Sequence, residues 1–370
     1  MGVPFIDLSA QQAEIAAEVE PAVLDVLRRA AFIGGPEVAG FEAEYAAFLG
    51  VAHCVGVANG TDAVELALRA VGVEPGGEVI MPANTFIATA EAASRIGAIP
   101  VPVDVDPEYL LIDPDAVAAA ITPRTQAIVP VHLFGQVAPV ERLDAIAAAH
   151  GLPIVEDAAQ SQGAERLGRR AGTLGRVSAT SFYPGKNLGA SGDGGAVMTD
   201  DAEAADFVRL MGGHGSKIKY RHEIVGVNSR LDAIHAITLR AKLRRLPQWN
   251  ECRRQAAARY AALLADLPGV RVPTTMPGNT DIWHLYVVRV AEERDRVLAD
   301  LTAAGIGAGL HYPDPWHLTQ AYAHLGYQPG TCPVAEQASH EILSLPMFPH
   351  LTESQQEQVA AALRTAVAYG

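Results

Sequence analysis

The sequence predicts an α/β fold: a large, mostly parallel sheet with helices on both faces, followed by a smaller α+β unit. Three observations predict it. Short apolar runs alternate with amphipathic helical stretches through the first half of the chain. Those runs are continuously apolar, as expected of strands buried on both faces. Near Asn228 the alternation gives way to long helices and a few separated strand-like runs. At 370 residues the chain also exceeds the size at which a single core keeps growing.

Taken in order, a helix is expected from about Gln11 to Arg29, packed on the smaller unit or on a neighbouring subunit. The strand runs are CVGVAN, EVIMPAN, IPVPVDVD, AIVPVHLFG, PIVEDAA, SATSFYPG and GGAVMTD. Between them TDAVELALRAVG, TFIATAEAASRIG, DPDAVAAAIT, PVERLDAIAAAHG and DAEAADFVRLMG carry helical periodicity. After Asn228, SRLDAIHAITLRAKLRRLPQWNECRRQAAARYAALLADLPG reads as one or two long helices, with Pro247 marking a break or kink. VRVP and IWHLYVVRV are strand-like, RDRVLADLTAAG is helical, and ESQQEQVAAALRTAVAY forms a last helix. The boundary falls at about residue 245, giving units of 1–245 and 246–370.

Composition narrows the function. Apolar residues make up 49% of the chain, enough for a full core, and the net charge of −14 argues against a nucleic-acid partner. A local anion site remains compatible with that charge. The cysteines Cys54, Cys252 and Cys332 show no metal-ligand spacing and suit a reducing compartment. MGVPFIDLSAQQ lacks the basic and apolar regions of a signal peptide, and no uncharged apolar run reaches the roughly 20 residues of a membrane helix. A soluble cytoplasmic protein is expected, with no membrane partner. The 12 histidines are scattered, so no metal site is expected. GxSxG and the dinucleotide fingerprint are both missing.

Four stretches carry candidate chemistry. In HCVGVANGTDAVELAL a strand turns through Asn59-Gly60-Thr61 into a helix, whose N-terminus suits a phosphate; an ordinary strand–turn–helix with Thr61 as N-cap or first-turn residue is the plain alternative. In GLPIVEDAAQSQGA, Asp157 ends an apolar strand, where α/β sheets place their ligands. A carboxylate there can hold a cationic ring nitrogen, with Gln160 one turn on; capping of the next turn by Asp157 or Glu156 is equally open. In SFYPGKNLGASGDGGAV, Lys186 stands among glycines with few other charges. That setting suits a lysine whose amine attacks a carbonyl, helped by a burial-lowered pKa. Ser181 can donate to a phosphate. In PANTFIATAEAA, Phe86 can stack on a flat ligand or simply join the core.

Together with VPFIDLSAQQ, FIGGPEVAGFEAEYAAFLGV, VHLFGQ, GVNSRLDAIHA, HYPDPWHLTQAY and SLPMFPHL, these motifs resemble, in register, the DegT/DnrJ/EryC1/StrS family of sugar aminotransferases. The resemblance implies a fold type I transferase using pyridoxal 5′-phosphate, and a homodimer with shared active sites. It implies that Lys186 anchors the cofactor and that Asp157 pairs with its ring nitrogen. Gln160 falls near the ring hydroxyl, Phe86 on the ring face, and Gly60, Thr61 and Ser181 around the phosphate. Asn228 would reach the phosphate of the partner's cofactor. L-Glutamate is the implied amino donor, and a nucleotide-linked, dTDP above all, keto-6-deoxy sugar the acceptor at C-3 or C-4.

GGHGSKIKYRHE resembles the family loop that meets substrate from the neighbouring subunit. Lys217, Lys219, Tyr220 and Arg221 are therefore candidates for the diphosphate, beside a solvated-loop alternative. Tyr183, His311 and Tyr312 are further substrate candidates. The resemblance also suggests antibiotic deoxysugar biosynthesis. Two rivals are a dehydratase of the same family, in which histidine replaces the lysine, and a cofactor-free lysine Schiff-base enzyme. A third is a non-catalytic binding protein, which would be expected to have lost Lys186 or Asp157.

Overall fold

A computed structural model describes residues 2–368. Each of the seven apolar runs of the first half supplies one strand. Across the sheet the strands are His53–Val57, Gly195–Thr199, Val177–Ser181, Val155–Asp157, Thr125–Ile128, Glu78–Pro82 and Ile99–Val103. Parallel bridges Ile128–Ile154 and Val131–Asp157 join its two halves. Every neighbouring pair is parallel except the two made by Gly195–Thr199, which runs against both its neighbours. The reversal has a local cause. A parallel return needs a crossover, usually a helix, whereas the glycine-rich segment 182–194 folds back as a loop.

The sheet is buried as its apolar strands require. Glu78–Pro82 and Gly195–Thr199 are buried at every position. On one face Val57, Val79, Val155 and Val197 pack against Val64, Leu66 and Leu68 of the helix Gly60–Ala70. On the other, Ile80, Val103 and Ile128 meet Val117, Val140 and Leu143. At roughly 25 cal/mol per Å2 of apolar surface, this double-sided burial is the main force holding the strand ends in place.

The N-terminal helix runs Leu8–Arg29, starting earlier than expected because Asp7 caps it, accepting from the Ser9 and Ala10 N–H groups. Its Ile15 and Val19 pack on Ala241 and Trp249. Those two belong to separate helices, Ala233–Leu243 and Leu246–Leu264. Pro247 lies in the first turn of the second, where its missing N–H is not needed. The helix Gly35–Leu49 was not among those expected. Its Gly34-Gly35-Pro36 start reads as a turn signal, yet its Phe41, Tyr45 and Leu49 join Phe182 and Leu188 in a buried cluster.

A second core forms further along the chain. A three-stranded antiparallel sheet of Val270–Arg271, Tyr286–Val290 and Ile342–Leu345 is packed by the helices Leu246–Leu264, Arg294–Ala303 and Glu353–Ala368. Val3 pairs with Ile306 and is buried in that core, drawing the N-terminus back across the molecule. Among the described residues no helix is long and apolar enough to cross a membrane.

Candidate active site

The carboxyl ends of the central strands open into a cavity of about 520 Å3. One end is a phosphate-sized cradle. Asn59, not Thr61, caps the helix Gly60–Ala70, accepting from the Asp62 N–H at 2.8 Å. Thr61 lies in the first turn, where backbone N–H groups have no partner within the helix. Gly60 lets this turn approach the strand end, since a Cβ there would lie 2.6 Å from Ser181 Cβ. Ser181 Oγ accepts from the Tyr183 N–H at 3.2 Å, so its own proton remains to be donated. Gln162 fixes the Ser181 carbonyl at 2.9 Å.

Lys186 lines the same cavity, on the loop that reverses the sheet, with its backbone N–H bonded to Tyr183 O at 2.8 Å. Desolvation lowers its amine from the ordinary lysine value to about 8, against the opposing pull of Asp157. The neighbouring turn is close-packed: a Cβ on Gly189 would stand 2.3 Å from Pro184 O.

The far end is set by the alternation of the strand Val155–Asp157. Asp157 faces the cavity, accepting from Thr89 Oγ1 at 2.8 Å and from the Ala159 N–H at 3.1 Å. Glu156 is fully buried and accepts from the backbone of Gly172, Leu174 and Gly175 and from His132. Burial alone would raise the Glu156 carboxyl, but His132 and these N–H groups hold it below its usual value. The two carboxylates thus divide the work: Glu156 pins a loop, and Asp157 is offered to a ligand.

Gln160 accepts from the Phe134 N–H at 2.7 Å and donates to the Tyr312 hydroxyl at 3.1 Å. That leaves one amide proton near the cavity. Phe86 precedes the helix Ile87–Ile96; it is 50% exposed, and its ring lies 5.1 Å from that of Tyr312. His311 stacks on Phe5 at 5.4 Å and bonds Ser344 at 2.9 Å; burial lowers its pKa to about 4. Tyr183 lines the mouth and is 59% exposed.

The sequence reading missed His284, which reaches the cavity from the second core. Its tautomer follows from its neighbours. Asn187 Nδ2 donates to the Ile282 carbonyl at 3.2 Å and to Asn250 Oδ1 at 2.9 Å, so Asn187 Oδ1 faces His284 Nδ1 at 3.1 Å as an acceptor. Nδ1 therefore carries the proton and Nε2 keeps a lone pair. Burial, then Lys186, pushes the pKa well below the usual histidine value, so the ring stays neutral. A polar residue inside the apolar run IWHLYVV was the available signal. Phe5, Ile6 and Thr89 also line the cavity and were likewise missed.

Other expected residues lie elsewhere. Lys217, Lys219, Tyr220 and Arg221 are exposed on a hairpin of Ser216–Ile218 and Arg221–His222, and none lines the cavity. Asn228 pairs through its backbone with Gly213 and is exposed. Its neighbour Ser229 donates to Asp62 at 2.7 Å and accepts from the Ala58 N–H at 3.0 Å. The Asn228 segment therefore runs beside the cradle helix without entering its cavity.

A lysine of lowered pKa between an anion cradle and a carboxylate fits a covalently held aromatic phosphate. The model of the DegT/DnrJ/EryC1/StrS aminotransferase family matches residues 13–364. The chain belongs to this family. It is similar to the erythromycin biosynthesis sensory transduction protein EryC1 of Saccharopolyspora erythraea, 50% identical over 98% of this chain and 99% of that one. It is also similar to the dTDP-3-amino-3,4,6-trideoxy-alpha-D-glucose transaminase of Streptomyces venezuelae, 48% identical over 98% and 95% of the two chains. The solved structure of S. venezuelae DesV with a ketimine intermediate superposes with a TM-score of 0.96, at 48% identity over 98% of each chain. This aminotransferase thus has the fold type I architecture and depends on pyridoxal 5′-phosphate. The residues present fit that group: the helix N-terminus at Gly60-Thr61 and the Ser181 hydroxyl offer donors to a phosphate, and Lys186 offers an amine of lowered pKa to an aldehyde.

Proposed function

We propose that this aminotransferase transfers the amino group of L-glutamate to C-3 of a dTDP-linked keto-6-deoxy sugar. The observation that carries the reading is the placement of Lys186, with its lowered pKa, between the phosphate cradle and Asp157 in one cavity. The dTDP group and the C-3 position rest on the similar S. venezuelae transaminase, whose product name places the amine there. The family relatives also favour transamination over dehydration, and Lys186 stands where a dehydratase would carry histidine.

When bound, pyridoxal phosphate supplies an electron sink for the substrate carbon that loses its proton. Gly60, Thr61 and Ser181 hold its phosphate through N–H and O–H donors at a helix N-terminus. Phe86 would cover one ring face, Gln160 would bond the ring hydroxyl, and Asp157 would hold a proton at the ring nitrogen. Lys186 would hold the cofactor and would move a proton to or from the substrate carbon. An amine with a pKa of about 8 is partly unprotonated near neutral pH, which that role requires.

Among the described residues Lys186 is the one lysine or arginine lining the cavity, and both histidines there are neutral. A sugar nucleotide's diphosphate therefore needs cations from outside. We assign that part to Lys217, Lys219, Tyr220 and Arg221 of a second copy, and we assign Asn228 to the partner's phosphate, in a homodimer. Ile33, Ile218, Tyr220 and Val225 are each 60% or more exposed, apolar side chains that a second copy would cover. Tyr183, His311 and Tyr312 would line the sugar's path. The units 1–245 and 246–370 act as cofactor-holding and closing parts, in a cytoplasm that keeps the free cysteines reduced.

The test is turnover with L-glutamate and dTDP-linked 3-keto and 4-keto sugars, with the product examined by NMR. Amine at C-3 supports the assignment. Amine at C-4, or no amine with either acceptor, contradicts it.

A further inference from the structure

Asp157 does not hold its position alone. Its Oδ1 accepts from the Ala159 N–H, and its Oδ2 accepts from Thr89 Oγ1 at 2.8 Å. Thr89 Oγ1 also lies 3.0 Å from Thr85 Oγ1. A carboxylate only accepts, and each hydroxyl owns one proton. Thr89 gives its proton to Asp157, so the proton between the two threonines must come from Thr85. The chain of donation has one direction: Thr85 to Thr89 to Asp157.

Both hydroxyls belong to the active site rather than to the outer surface. Thr85 and Thr89 are 2% and 1% exposed, and both line the cavity. They lie four positions apart on either side of Phe86, Thr85 before the helix and Thr89 in its first turn, and the Thr89 N–H bonds Phe86 O at 3.2 Å. A single turn therefore sets the aromatic ring that covers the cofactor and the hydroxyl that orients the carboxylate at its ring nitrogen. A carboxylate at the end of a short strand can still rotate about its last bond. Thr89 removes that freedom by tying down one oxygen while the Ala159 N–H ties the other.

We propose that Thr89, primed by Thr85, is a positioning residue that aims Asp157 at the cofactor's ring nitrogen. The inference rests on the role given to Asp157 above. Thr89 touches no reacting atom; it acts through the carboxylate. A threonine kept only for packing would be replaced by valine, its isostere, without change at the ring nitrogen.

The experiment is 15N NMR of the holoenzyme reconstituted with ring-15N-labelled pyridoxal phosphate, alongside steady-state kinetics. Asp157→Asn is expected to move the resonance to that of the unprotonated ring. Thr89→Val is expected to move it in the same direction and to lower kcat about tenfold. Thr89→Ser should restore both, and Thr85→Val, which spares the Thr89–Asp157 bond, should produce a smaller shift. If Thr89→Val does not fold, Thr89→Ala takes its place. A wild-type resonance in the Thr89 variant, with a shifted one in Asp157→Asn, overturns the inference. An unshifted resonance in Asp157→Asn overturns the role of Asp157, and this inference with it.

Discussion

The floor of the cavity and the 216–222 hairpin are built in opposite ways. Asp157 and Ser181 end strands of the central sheet, and Lys186 follows within a close-packed turn. Lys217, Lys219 and Arg221 sit on a short exposed hairpin outside the chain's own cavity. The first region draws Asp157, Ser181 and Lys186 of one chain to one cavity, with Asn228 alone assigned to the partner. The second is a set of exposed cations that form no salt bridge among the described residues. The difference teaches that holding the cofactor and recognising the nucleotide are separable problems here. The strand ends of the sheet carry most of the first, and a short exposed hairpin lent to a second subunit is our answer to the second.

The largest expected effect breaks the floor. Lys186→Ala should lower turnover by about a hundred- to ten-thousand-fold, as losing a positioned proton carrier does, while cofactor still binds without covalent attachment. Equilibrium dialysis and single-turnover kinetics check both halves. Gly60→Ala comes next, because its Cβ would stand 2.6 Å from Ser181 Cβ, where real Cβ contacts do not occur. The cradle must widen, and cofactor affinity should fall about tenfold or more with the fold retained. Fluorescence titration with pyridoxal phosphate measures it.

Two substitutions address the residues assigned to a second copy. Arg221→Ala should raise KM for the sugar nucleotide about tenfold through a lost charge-assisted bond, and leave the L-glutamate half-reaction unchanged. An equal loss in both half-reactions would remove Arg221 from nucleotide recognition. Asn228→Ala should cost about 1 kcal/mol of cofactor binding, a roughly fivefold effect. Mixed dimers with Lys186→Ala subunits sharpen the point. If Asn228 acts across the interface, a dimer of one Asn228→Ala and one Lys186→Ala subunit keeps an intact Lys186 site served by an intact Asn228. An active isolated monomer would contradict the shared site.

The same contrast explains what was legible in the sequence. Strands buried on both faces leave continuous apolar runs, so the sheet and its ligand-bearing ends could be read directly. Gly60, Asp157, Ser181 and Lys186 all lie at or just beyond those ends. His284 and Phe5 were not legible, because each reaches the cavity from a distant part of the chain, Phe5 by packing on a cluster that includes Leu285 and Val287. Thr89 was hidden for another reason: its hydroxyl serves Asp157 across 68 positions of sequence, and nothing local marks it. The helix Gly35–Leu49 was masked by its own glycine-proline start, and only its burial against Phe182 shows what stabilises it. The reversed strand Gly195–Thr199 follows from a connection too irregular for a crossover, which strand patterning alone does not encode.

The central claim is that Lys186 carries the cofactor and passes an amino group from L-glutamate to a keto sugar. The visible absorption spectrum of the purified protein with pyridoxal phosphate tests it most directly. The account predicts a band from cofactor joined to Lys186, its loss on adding L-glutamate, and its return on adding a dTDP-linked keto-deoxy sugar. No such band in the wild-type protein, or a band that L-glutamate leaves unchanged, would contradict it.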